Sequence, residues 1–226
     1  MAHDDEKQAA ARASLRFVRD GQIVGLGSGS TATYVVQFLG ERVRAGLKIV
    51  GIPTSNKTRD LAASLGIPLT SLEQTPQIDV TIDGADEIDP QLSLIKGGGG
   101  ALLHEKIVAS ASRHFVIIAD SSKQVPTLGK FPLPIEVITF AQPLVKRKIE
   151  AFGASVTLRL AGNAPFVTDE GHHILDCNFG AISDVPALAR KLSDMPGIVE
   201  HGLFVHMASV VLIGKAKEVI ELQQNT

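Results

Sequence analysis

A single cysteine, Cys177, in a chain of 226 residues excludes an intrachain disulfide. No apolar run approaches the roughly 20 residues needed to span a bilayer, so no membrane segment is predicted. Basic blocks are missing too: 22 Lys and Arg stand against 24 Asp and Glu, a net charge of −2, which offers no electrostatic footprint for nucleic acid or an anionic membrane. The opening Met1-Ala-His-Asp-Asp-Glu-Lys7 is acidic and lacks an apolar core after a basic start, so no secretory leader is expected. With the lone cysteine, this predicts a cytoplasmic protein. Heptads, internal repeats and low-complexity tracts are absent. What the chain has is 44% hydrophobic residues, enough for a core in one large domain or two small ones.

Those residues fall into two rhythms. In the first half, helical stretches at 7–18, 31–39, 57–65 and 101–112 alternate with apolar strands at 23–24, 48–52, 79–82 and 115–119. Such alternation predicts an α/β fold with a doubly wound, mostly parallel sheet covered on both faces. After Gly129 the order becomes strand 135–138, helix 144–152, strands 156–160 and 174–177, helix 187–192 and strand 198–204. This β-α-β-β-α-β order is the ferredoxin-like arrangement. A strand at 210–213 and a short helix from Lys215 close the chain. The expected organisation is a doubly wound domain of residues 1–130 and 205–226, interrupted by a ferredoxin-like α+β domain of 131–204.

Chemistry-bearing residues cluster where the strands end. Gly25-Leu-Gly-Ser-Gly-Ser-Thr31 follows Ile23-Val24, but it is not a dinucleotide fingerprint, because Ser30 stands where the third glycine belongs. A P-loop fails as well, since no Gly-Lys-Ser/Thr follows. Ser28, Ser30 and Thr31 at a helix start remain suited to a phosphate monoester. Next come Asp83, Asp86, Glu87 and Asp89. Their spacing does not match a calcium loop, and no metal site is predicted. Asp83 and Asp86 lie directly past a buried strand end, where open sheets place ligands, whereas Glu87 and Asp89 are expected to be solvated.

The run Lys96-Gly-Gly-Gly-Gly100 leads into a helix whose expected buried stripe is Leu103, Ile107 and Ala111, and Glu105 lies off that stripe. A lone helical glutamate is usually a solvated charge. Four glycines and Lys96 just before it let backbone and substrate approach, which makes Glu105 a candidate base. Lys123, after the strand 115–119, is a candidate anion contact. His172 and His173 are neighbours in a strand and face opposite ways, a poor chelate. Cys177 is read as core.

A phosphate cradle, carboxylates and lysines, with no nucleotide fingerprint or metal cluster, suit cofactor-free proton transfer beside a carbonyl, as in sugar-phosphate isomerisation. These segments, with Ala119-Asp-Ser-Ser-Lys123, Leu128-Gly-Lys-Phe-Pro-Leu-Pro134 and Gly197-Ile-Val-Glu-His-Gly-Leu-Phe204, closely resemble the ribose-5-phosphate isomerases of type A. The resemblance covers nearly the whole chain. It implies interconversion of D-ribose 5-phosphate and D-ribulose 5-phosphate in the pentose phosphate pathway without cofactor, a Rossmann-like domain with a ferredoxin-like insertion, and a homodimer or larger homo-oligomer. By the same resemblance Glu105 is the general base, Asp83 opens the ring, and Asp86 with Lys96 holds hydroxyls and stabilises the enediolate. Ser28, Gly29, Ser30, Thr31, Gly84, Ala85, Gly97, Gly98, Gly99 and Lys123 fall at substrate-binding positions, and Lys7 at a phosphate contact. The alternatives are another sugar-phosphate enzyme of similar fold and a non-catalytic sugar-phosphate sensor, the latter disfavoured because no helix-turn-helix length precedes Ile23.

Overall fold

Contacts in the computed structural model, which describes residues 2–216 and 218–223, divide the chain into two units. The first holds the chain up to Ala85, His104–Gln124 and the segment from Met207 onward; the second holds Asp86–Leu103 and Val125–His206.

In the first unit the strands lie in the order Glu218–Gln223, Val210–Lys215, Ser112–Asp120, Ile78–Gly84, Ile23–Leu26, Val50–Pro53. Every pairing from Val210–Lys215 to Val50–Pro53 is parallel. Consecutive residues Val116, Ile117 and Ile118 are all fully buried, as a sheet covered on both faces requires. The helices Ala2–Ser14, Ser30–Arg44 and Asn56–Ser64 belong to this unit. Ala10, Val36, Leu39, Val80, Ile118 and Leu212 form the centre of its core.

The short helix expected from Lys215 is a strand instead. Glu218–Gln223 pairs antiparallel with Val210–Lys215, with Ile220 opposite Ile213 and Leu222 opposite Val211. The edge of the formed sheet offers this stretch a full ladder of partners. The reversal passes through Ala216 at φ 52°. Its N–H donates to Glu6 Oε1 at 3.0 Å, while Glu6 Oε2 accepts from the Ser121 N–H at 3.1 Å and the Ser121 hydroxyl at 2.8 Å.

These bonds, the one from Ala216 foremost, lower the Glu6 pKa from 4.5 to about 2. A depressed carboxylate contributes stability that is present above its unfolded pKa and is lost as pH falls toward the folded value. Glu6→Gln is therefore expected to lower the thermal midpoint at pH 7, with the gap to the native protein closing between about pH 4.5 and 2. A gap unchanged across that window in thermal melts would remove Glu6 from this role.

The second unit carries an antiparallel sheet in the order Ile198–His201, Leu133–Val137, His173–Asn178, Ser155–Leu158, with the helices Gln142–Glu150 and Val185–Ser193. This is the ferredoxin-like strand order. Leu133, Ile135, Val145, Ile149, Leu175 and Leu192 form its core, together with Cys177, whose thiol burial pushes its pKa up to about 12. The strand expected at 198–204 breaks at Gly202, whose N–H donates to Pro134 O at 2.8 Å and whose carbonyl accepts from Lys96 N–H at 2.9 Å. Beyond the break, Leu203–Phe204 pairs with Leu94–Ile95, which in turn pairs with Glu87–Ile88.

That small sheet explains why the unit boundary differs from the expected 130/131. Residues 86–103 join the second unit because their strands pair with 203–204, and 125–130 follow because Val125 N–H donates to Ile88 O at 2.9 Å. Among the described residues no helix is long and apolar enough to cross a membrane.

Candidate active site

Four neighbouring parallel strands of the first unit end on polar loops, the position where open α/β sheets hold ligands. After Ile23–Leu26 the chain turns through Gly29, at φ 98° and ψ 177°, into the helix Ser30–Arg44, which has no side-chain cap. An uncapped helix start directs the N–H groups of Ser30 and Thr31 outward and favours an anion. Lys7 Nζ, from the first helix, donates to Ser30 Oγ at 3.2 Å. The structure thus brings together Lys7 and Ser30, which are far apart in sequence.

Ser28 makes a different set of contacts. Its Oγ lies 2.8 Å from Thr54 Oγ1, 2.7 Å from Ser55 Oγ and 3.1 Å from Thr58 Oγ1. Thr58 Oγ1 also donates to Gly27 O at 3.1 Å. Sequence reasoning passed over Thr54, Ser55 and Thr58. The available signal was their place directly after the strand Val50–Pro53, with Ser55 capping the next helix by accepting from Thr58 N–H at 3.1 Å.

Asp83 is the penultimate residue of the central strand Ile78–Gly84 and has no solvent exposure. Its Oδ1 accepts from Ser28 N–H at 3.0 Å and from Gly84 N–H at 2.7 Å. Gly27 permits this approach, because a Cβ there would lie 2.3 Å from Asp83 Oδ1. Ala85 is the last residue before the chain passes to the second unit. Lys123 is half-buried in the 3-10 turn Ser121–Lys123 that follows the strand Ser112–Asp120.

Glu105 corrects the expected helix phase. It sits in the first turn of Leu102–Ser110 and is only 5% exposed, while Ile107, expected in the buried stripe, is 42% exposed. The inward face carries Leu102, Glu105, Val108 and Ala109. Val108 sets the phase by packing with Ile52 and Ile78. A glutamate one turn ahead of a core valine is held away from bulk water, at the end of the helix that faces the carboxyl edge of the sheet.

Asp86, Lys96 and Gly97–Gly99 belong to the second unit. Asp86 Oδ2 accepts from Gly98 N–H at 2.7 Å. Lys96 is 2% exposed, its Nζ 5.4 Å from the centre of the Phe204 ring, a contact that favours a cation. Gly98 and Gly99 are exposed.

Glu87 and Asp89, expected to be solvated, are 3% and 6% exposed. Glu87 accepts from Gly129 N–H at 2.7 Å and Phe131 N–H at 2.6 Å, and Asp89 from Gln91 N–H at 2.9 Å and Ser93 N–H at 2.8 Å. They pin loops, and burial raises the Asp89 pKa. Among the described residues His3, Glu6 and Asp120 could place ligand atoms within 4.8 Å of one another, yet the Glu6 oxygens already accept from Ser121 and Ala216, and Asp120 Oδ1 from Ser122.

With an uncapped helix start suited to a phosphate, a buried glutamate and a buried aspartate near a strand end, the first unit has the layout of an α/β enzyme for proton transfer on a small phosphorylated substrate. The family model for ribose 5-phosphate isomerase A (phosphoriboisomerase A) matches residues 50–218. The ribose-5-phosphate isomerase A of Parvibaculum lavamentivorans is 51% identical over 98% of this chain and 100% of its own length. Among solved structures, a D-ribose-5-phosphate isomerase in complex with phospho-erythronic acid aligns with a TM-score of 0.96 at 39% identity, covering 99% of this chain and 100% of that one. The enzyme from Methanocaldococcus jannaschii aligns at 0.93 and 40% identity, covering 97% and 98%. The chain belongs to the ribose 5-phosphate isomerase A family, a family of aldose–ketose isomerases.

Proposed function

We propose that this chain interconverts D-ribose 5-phosphate and D-ribulose 5-phosphate through an enediolate, in the non-oxidative branch of the pentose phosphate pathway and without a cofactor. The observation that carries the reading is Glu105, a buried carboxylate at the start of a helix that opens directly from the Lys96–Gly100 run. In the aldose-to-ketose direction Asp83 moves the proton that opens the sugar ring. Glu105 then removes the proton on C2, and the electron pair of that C–H bond forms the C1–C2 double bond while the aldehyde oxygen takes up negative charge. A proton then passes from the C2 hydroxyl to the C1 oxygen, and returning the carbon-bound proton to C1 breaks the double bond and leaves the carbonyl on C2. Lys96 and the Gly97–Gly99 amides stabilise the oxygen charge, and Asp86 holds substrate hydroxyls. Ser28, Gly29, Ser30, Thr31, Lys7 and Lys123 bind the phosphate end, with Gly84 and Ala85 lining the approach.

The phosphate assignment is supported by the uncapped helix at Ser30 and the Lys7 contact. Replacing Ser30 and Thr31 together with alanine is expected to raise KM for ribose 5-phosphate while hardly changing the poor binding of unphosphorylated ribose. Equal weakening of both ligands in competition assays would move the phosphate site elsewhere. Cofactor independence has its own test: exhaustive chelation is expected to leave turnover intact, and a loss restored by a divalent ion would overturn it.

A homodimer or larger homo-oligomer fits the apolar surface of the second unit, where Phe140 is 96% exposed beside Ile138 and Leu144, both about half exposed. A monomer in sedimentation experiments would count against it. A cytoplasmic setting, where thiols stay reduced, suits a chain whose one cysteine is buried and unpaired.

A further inference from the structure

Arg159 plays no part in the chemistry described above, yet its side chain is 13% exposed and every polar arm of it is used. Nε donates to Asp176 Oδ2 at 2.9 Å and Nη2 to Asp176 Oδ1 at 2.5 Å, a two-pronged pair. The remaining nitrogen, Nη1, reaches back 62 residues and donates to Gly97 O at 2.8 Å and to Gly98 O at 3.2 Å. Phe166 stacks near the guanidinium, 5.9 Å from ring centre to Cζ, and the same ring fills the space beside Gly100, where a Cβ would meet it at 2.5 Å. The backbone of Arg159 is held as well, its N–H by Ile174 O at 2.9 Å and its carbonyl by Phe166 N–H at 2.9 Å.

A trans peptide unit is planar, with its carbonyl and the following N–H pointing in opposite directions. Drawing the Gly97 and Gly98 carbonyls toward one guanidinium therefore turns the N–H groups of Gly98 and Gly99 the other way. The first of these meets Asp86 Oδ2. The second belongs to an exposed glycine with open space around it. Glycines have the widest choice of backbone angles, and Gly97 sits at φ 105°, so without an external anchor the amides of this run would sample many directions.

We propose that Arg159, fixed by Asp176, is a positioning residue that aims the Gly99 amide at the reacting oxygens of the sugar and, through the Gly98 N–H, holds Asp86 in place beside it. The proposal rests on the assignment of the Lys96–Gly99 run to enediolate stabilisation. Arginine suits the task because its planar fork holds a carboxylate and two carbonyls at once, which a lysine cannot do.

The test uses Arg159→Met, Arg159→Lys, Asp176→Asn and Lys96→Met in the full-length protein. Each is measured for thermal midpoint, for kcat and KM on ribose 5-phosphate, and for inhibition by inorganic phosphate. Misaimed donors are expected to cost Arg159→Met roughly tenfold to a hundredfold in kcat, with inhibition by inorganic phosphate unchanged. Arg159→Lys should recover part of the loss, and Asp176→Asn should lose less than Arg159→Met. A lower midpoint with native kcat per folded enzyme in Arg159→Met, or a rise in KM and phosphate inhibition constant with kcat intact, would overturn the proposal. Lys96→Met separates the two layers. If it is inactive while Arg159→Met turns over normally, the positioning role alone fails; if it retains native kcat, the assignment of the run to catalysis fails and the positioning role with it.

Discussion

Glu105→Gln is expected to fold, to bind sugar phosphate, and to lose about 10² to 10⁴ in kcat, the usual cost of removing a general base. Glutamine keeps the shape of a side chain that is 5% exposed, so the substitution leaves no cavity and the thermal midpoint should move little. Isotope incorporation reads the chemical step directly. In deuterated water the native enzyme places deuterium on the carbon that receives the proton, to the extent that the base exchanges with solvent before returning it. Glu105→Gln should lose incorporation and isomerisation together. Asp83→Asn, whose role is ring opening, should keep incorporation when supplied with open-chain ribulose 5-phosphate. Near-native incorporation by Glu105→Gln would transfer the base to Asp83 or Asp86.

The second large effect is expected at a residue with no side chain. A Cβ on Gly27 would lie 2.3 Å from Asp83 Oδ1, 2.5 Å from Asp83 Cγ and 2.6 Å from Asp83 Cα. The last of those atoms is backbone of a central strand and cannot swing aside. Gly27→Ala must push the first loop away from the strand Ile78–Gly84 or displace the Asp83 carboxylate, stretching the Ser28 N–H bond to it, 3.0 Å in the native protein. Overpacking of this kind costs about 1–3 kcal/mol, and a chain of this size loses about 2–4 °C in thermal midpoint for each kcal/mol. Activity should fall further than stability, because one shift disturbs both the ring-opening carboxylate and the phosphate loop. The variant should therefore show a lower kcat and a higher KM for ribose 5-phosphate at temperatures where circular dichroism reports a folded protein. Native kinetics and an unchanged midpoint would mean that the loop has slack that these distances do not allow.

Alternating apolar strands and amphipathic helices, with glycine and acidic punctuation, determined by themselves the types of the main elements up to Ile213, because periodicity and turn chemistry are local properties of the chain. From them came the parallel sheet, the β-α-β-β-α-β order of the second unit and the placing of Ser28–Thr31, Asp83 and Lys123 at strand ends. Which side of an element faces inward was another matter. Glu105 lies on the buried face because Val108 packs on Ile52 and Ile78, and of the expected stripe Leu103 and Ala111 are only partly buried, Ala111 against that same cluster, while Ile107 is turned to the surface. Likewise Glu218–Gln223 is a strand only because Val210–Lys215 offers an edge, and Glu87 is buried only because the amides of Gly129 and Phe131 meet it. The Ser28 hydroxyl cluster, the Arg159 contacts to Gly97 and Gly98, and the Glu6 bond to Ala216 join residues 26 to 210 positions apart. No local pattern encodes such pairs; they arise when the packed elements bring a donor and an acceptor together out of water, where each group needs the other.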